Sequence, residues 1–248
     1  MSLKKTLCSL IAVSTLFSLT SQIEAAVVDI FISAGQSNAN AGSKVFGIGA
    51  EEALKKSGVY SNVVVVKTAH SGNAITQWHY KGSLKSNFFI DFFSEFKDKK
   101  PMGALEAKIV EVISNGDTPV FRGMFWWQGE SNTVTKAMLD SNDVDMIKDF
   151  EGIVAGIDAG LKNAGLESTK WNFIVNTVYR STGHDEVNEA LARIASLPRG
   201  AIFDTQKGTH RVYPKKSGDP VHGYDHQLVG KRNAELFIAT FKKSSQKK

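Results

Sequence analysis

Val63-Val64-Val65-Val66-Lys67 places four β-branched residues in a row, and no other feature restricts the fold as much. Such side chains lose rotamer freedom in a helix and fit a pleated strand. The run has no polar alternation, so it suits a strand covered on both faces, as strands of parallel sheets are. Similar runs occur at Val27–Ser33 (VVDIFIS), Val120–Trp127 (VFRGMFWW), Trp171–Val178 (WNFIVNTV) and Ala201–Asp204 (AIFD).

Helical periods lie between these runs. Ala104–Ser114 (ALEAKIVEVIS) precedes the turn Asn115-Gly116-Asp117. Val144, Ile147, Phe150, Val154, Ile157 and Leu161 recur at steps of three and four, which marks one helical face. Asn163-Ala164-Gly165 has the composition of a C-terminal cap for that helix. Asp185–Ala195 is a further helix, stopped by Pro198, and His226–Phe241 is the last. Strands alternating with helices imply right-handed crossovers and a parallel sheet with helices on both faces, hence one α/β domain. Sites in such folds form beyond the carboxyl ends of the strands. Three polar, glycine-containing stretches fall there: Gly35–Asn38, Ser71–Asn73 and Gln128–Glu130.

The first 25 residues read as a secretory signal peptide. Lys4 and Lys5 precede an apolar stretch, Leu7–Leu19, that is too short and too polar to span a bilayer, and Ile23–Ala26 supplies small residues for cleavage after Ala25, with Ala26 as the alternative. The expectation is a secreted or periplasmic domain of residues 26–248 with no membrane anchor. Its only cysteine, Cys8, leaves with the leader. Stability must then come from a hydrophobic core, which about 220 residues can bury. The formal net charge of +5 falls by one on cleavage. Part of the surplus is the tail 242–248, read as a solvated, disordered terminus. No aromatic residues interleave with its lysines, which argues against nucleic-acid binding.

Serine needs a base to become a nucleophile, and the base needs an orienting acceptor. Ser37 follows the first strand. Late in the chain, GDPVHGYDHQLVG offers Asp219 and His222 three residues apart, stiffened by Pro220. Asp225 and His226 are lesser candidates for the same roles: Asp225 suits a helix N-cap, and His226 falls where the last helix begins. Oxyanion donors are available at the backbone N–H groups of Ser37 and Gly72 and at the side-chain amide of Gln128, with loop bracing as the alternative for Gln128. Trp126 and Trp127 read as packing residues. Trp78 is either a pocket wall or a buried aromatic. His70, His79, His184 and His210 read as isolated loop histidines. A metal cluster at His222 and His226 would need a helix where Pro220 and Gly223 favour a loop.

GQSN (35–38), SGNAITQW (71–78), WWQGESN (126–132) and DPVH (219–222) occur in this order. Together they resemble the SGNH/GDSL hydrolase superfamily, and within it the sialate O-acetylesterase and acetylxylan esterase branch, carbohydrate esterase family 6. HQLVGKRNAELF resembles the closing helix of that branch. The resemblance implies a three-layer α/β/α, flavodoxin-like fold with a central five-stranded parallel sheet. It also implies Ser37, Asp219 and His222 as a catalytic triad, Ser37, Gly72 and Gln128 around the oxyanion, and neither metal nor organic cofactor. Gln36, Asn38, Glu130 and Asn132 would bind substrate or brace loops. Ser71 stands where the family usually has a first glycine. The substrate implied is an acetylated carbohydrate. The rival expectations are a non-catalytic carbohydrate-binding protein on the same scaffold and an esterase or lipase acting on other esters; no long insertion supplies a lipid tunnel or lid.

Overall fold

In a computed structural model of the chain, the described residues are 24–78, 92–93, 102–168, 170–178, 184–205 and 224–242, with the side chains of 41–44 excepted. The leader through residue 23, the tail 243–248, and Asp219, His222, His79 and His210 lie outside them.

Five parallel strands form one sheet: β1 (Val27–Gly35), β2 (Val63–Lys67), β3 (Thr118–Trp127), β4 (Asn172–Asn176) and β5 (Gly200–Phe203), in the order β2-β1-β3-β4-β5. This is the doubly wound, flavodoxin-like order, and the expected α/β/α architecture is present. The helices are α1 (Ser37–Lys56), α2 (Ala104–Ser114), α3 (Lys136–Asp140), α4 (Asp145–Asn163), α5 (Asp185–Ala195) and α6 (His226–Phe237). A short 3-10 turn covers Ile75–Trp78, and a π turn, Ile238–Lys242, extends α6.

The sheet separates two cores. On one face Ile30, Ile32, Met124, Trp126, Phe173 and Val175 pack against α2, α4 and α5. On the other, Phe31, Val65, Phe125, Trp127 and Ile174 pack against α1 and α6. Both faces of the central strands are buried, as the unalternating runs require.

Helix α4 ends as its composition predicts. Gly165 takes a left-handed φ of 76°, its N–H donates to the Lys162 carbonyl at 3.0 Å, and the Leu166 N–H donates to the Leu161 carbonyl at 2.9 Å. That is a Schellman cap. Helix α1 differs from expectation, since the polar residues after β1 open a twenty-residue helix rather than a loop. Helix α6 is fixed to the sheet by a buried amide pair. Asn176 and Asn233 donate to each other at 2.9 and 2.7 Å, and their second hydrogens go to the carbonyls of Trp126 and Val229. A closed polar set of this kind specifies one seating of the helix.

Candidate active site

Ser37 is the first residue of α1, directly beyond the carboxyl end of β1. A helix N-terminus directs backbone N–H groups and a partial positive charge outward, which suits a position where negative charge develops. Ser37 is partly exposed, whereas its neighbours Gln36 and Asn38 are 2% and 0% exposed.

Those two neighbours tie the serine to the loop after β3. The Gln36 amide donates to Ser131 Oγ at 2.5 Å, and its oxygen accepts from the Ser131 N–H at 3.2 Å. The Gln36 N–H donates to the Trp127 carbonyl at 2.8 Å. Asn38 donates through Nδ2 to Glu130 Oε1. Both flanks of Ser37 are thus held by residues 127–131, which limits the ways the hydroxyl can drift.

The second loop joins the same cluster. Gly72 takes φ 76°, a region where a side chain would be strained. Asn40 donates to Ser71 Oγ at 3.1 Å, and Asn73 Nδ2 donates to the Ser71 carbonyl at 2.8 Å. Gln128 is fully buried; its Nε2 donates to Gln36 Oε1 at 2.9 Å and to the Asn73 carbonyl at 2.6 Å, with Asn132 Oδ1 farther away at 3.4 Å. Two good acceptors occupy the two hydrogens of one NH₂ group. This is the loop-bracing arrangement: Gln128 links all three motif loops.

The last helix reaches the cluster through His226, whose Nε2 lies 3.1 Å from Asn38 Oδ1. A carboxamide oxygen only accepts, so Nε2 carries the hydrogen. The ring lies 5.6 Å from Trp127, which in turn meets Tyr224 edge-on at 5.1 Å. Asp225 accepts from the Leu228 N–H at 3.1 Å, so it caps α6 as its position predicts. The contact between His226 and Asn38 was not legible in advance; its signal was the placement of a histidine at the first position of α6.

Trp78 is fully buried, stacked on Phe92 and edge-on to Trp126. It is a core aromatic, the second of the two readings. Trp126 and Trp127 are likewise fully buried. His70 packs edge-on against Trp78. Among the described residues no group of three or more His, Cys, Asp or Glu is placed to hold a metal ion, and no helix is long and apolar enough to cross a membrane.

No family model and no curated protein sequence matches the chain. Among solved structures, a protein from Arabidopsis thaliana is similar at a TM-score of 0.53 and 16% identity, over 86% of this chain and 98% of its own. A carbohydrate acetylesterase from Sinorhizobium meliloti gives 0.47 and 8%, over 86% and 100%. An aryl esterase from M. smegmatis gives 0.45 and 11%, over 88% and 99%. The first of these likenesses, over 86% of this chain, shows a common fold; in this chain Ser37 stands at the carboxyl edge of the sheet.

Proposed function

We propose that the protein is an SGNH-type serine esterase that removes acetyl groups from O-acetylated carbohydrate outside the cytoplasm. The observation that carries this reading is the seating of Ser37: first residue of α1, with both neighbours buried and tied to the loop after β3. A turn with no task would not need two buried amides to hold it.

The seating supports the following chemistry. His222 takes the Ser37 proton as Oγ attacks the ester carbonyl, with Asp219 orienting the imidazole. The backbone N–H groups of Ser37 and Gly72 receive the oxyanion, and Gln128 keeps the Gly72 loop in register with Gln36. Collapse of the tetrahedral species breaks the bond to the sugar oxygen, which takes the proton from His222 and leaves as a hydroxyl. Water then cleaves the acyl-enzyme by the same route, releasing acetate. His222 precedes His226 by four residues in sequence, and the His226 ring lies 3.1 Å from the Asn38 carboxamide beside Ser37, which supports this assignment.

A sulfonyl fluoride or phosphonate probe should label Ser37, and the protein should release acetate from p-nitrophenyl acetate and from acetylated xylan or sialic acid. Ser37→Ala should abolish labelling and turnover. The rate should fall as pH drops below about 6.5, where a neutral imidazole is lost. Full turnover by Ser37→Ala sinks the reading.

A further inference from the structure

At the opposite edge of the sheet, Arg122 occupies an unusual position. In the pairing of β1 with β3, Ile30 faces Phe121 and Phe31 faces Gly123, so Arg122 is the extra residue of a β-bulge in a central parallel strand. Bulges are uncommon in parallel pairs, and they re-aim a side chain at the cost of ladder regularity. The re-aimed guanidinium is anchored at one point: its Nε donates to Asp29 Oδ1 at 2.6 Å, where Asp29 is 4% exposed and Arg122 39%. Its carbon lies 5.8 Å from the centre of the Tyr60 ring. Among the described residues its two terminal amino groups have no partner. They form the edge of the fork that takes a carboxylate through two parallel hydrogen bonds.

Arg122 lines a cleft of about 440 Å³ together with Asp29, Tyr60, Asn172, Phe237 and Phe241 among others. Phe241, packed edge-on at 5.0 Å on the buried Phe237, gives the cleft an apolar wall. Burial raises the Tyr60 pKa above its ordinary value, against the opposing effect of Arg122, so the phenol keeps its proton as a donor. Lys170, paired with Glu167 at 2.8 Å, and Lys242 add positive charge at the rim. The cleft is remote from Ser37: Asp29 and Gly35 on β1 alone are separated by about 20 Å at the usual rise per residue.

We propose that this cleft is a second binding site, for a compact ring that carries a carboxylate, such as an acidic sugar. The Arg122 fork takes the carboxylate, Tyr60 and Asn172 supply hydrogen bonds, and Phe241 faces the ring. The proposal does not depend on the esterase reading.

The test is a calorimetric or NMR titration of the full chain with galacturonate, with galactose and inorganic phosphate as comparisons. Galacturonate should saturate with a Kd of about 1 mM or tighter, and both comparisons should bind at least about tenfold more weakly. Arg122→Lys keeps a cation beside Asp29 but loses the fork; it should weaken galacturonate by about tenfold or more, the value of a hydrogen bond to a charged group. Its turnover of p-nitrophenyl acetate should not change. Tyr60→Phe keeps the ring packing and should weaken binding severalfold, and it carries the test if Arg122→Lys does not fold. Ser37→Ala should bind as the wild type does. Absence of saturation, wild-type affinity in both Arg122→Lys and Tyr60→Phe, phosphate binding as tight as galacturonate, or loss of binding in Ser37→Ala would each overturn the proposal.

Discussion

Asn38 does more for the site than its side-chain chemistry suggests. It sits fully buried beside Ser37, donates to Glu130 and accepts from His226. Three segments distant in sequence therefore meet at one carboxamide. Truncating it leaves Glu130 short of a donor and His226 short of an acceptor, in a place where water does not readily compensate. Ser37 would gain freedom of about an ångström, and misplacement of a reacting group by that much costs up to about a hundredfold in rate. Asn38→Ala should lower kcat for p-nitrophenyl acetate by about 10- to 100-fold and change KM little. Asn38→Asp puts an anion beside the Glu130 carboxylate and should be no better. Wild-type kcat in Asn38→Ala would show that Ser37 does not depend on this clamp.

At the scale of elements, the contact between α1 and α6 is what brings His226 to Asn38. The two helices touch backbone to backbone. A methyl group added at Gly230 would lie 1.9 Å from the Phe46 carbonyl oxygen, and one at Gly49 would lie 2.1 Å from that of Gln227. Neither neighbour is a flexible side chain that could swing away. Gly230→Ala should therefore destabilise the fold by about 1–3 kcal/mol, lowering Tm by roughly 2–12 °C, and should reduce activity more than the stability loss alone explains. An unchanged Tm would mean that the helices can part without cost. This pairing also explains which parts of the fold were legible in sequence. The strands declare themselves through β-branched runs, and α4 through its periodic apolar face. Helix α1 begins SNANAGS and carries glycines at 42, 47 and 49, which are poor helix formers. It is helical because Phe46, Ala50 and Leu54, four residues apart, pack into the core under α6. The motif loops were visible as motifs. The bonds joining Gln36 to Ser131 and Asn38 to His226 span 95 and 188 residues and carry no local pattern. The Arg122 bulge is hidden for the same reason: Val120–Trp127 reads as an ordinary strand, and only its register against β1 reveals the extra residue.

For the molecule as a whole, two groups should shape stability at the extremes of pH. Glu51 on α1 holds Lys55 at 2.6 Å and Lys67 of β2 at 2.5 Å. Burial alone would raise its pKa, but the hydrogen bonds and charges of the two lysines together bring it below the ordinary 4.5. A carboxylate with a depressed folded pKa stabilises the fold above its unfolded pKa, and that contribution is lost as acid protonates it through the folded value. Tyr60 behaves in the opposite sense. Its folded pKa is raised above 10.0, chiefly by burial, so stability is retained below that pH and erodes as alkali strips the phenol in the unfolded chain first. Urea midpoints should therefore decline below about pH 4.5 and above about pH 10, with a broad plateau between. Glu51→Gln should flatten the acid limb and lower the plateau slightly, by under about 1 kcal/mol, because the pair is partly exposed. Tyr60→Phe should flatten the alkaline limb and leave the acid one alone. If each variant instead traces the wild-type profile at a constant offset, neither group governs its limb, and the pH dependence must arise from the summed surface charge.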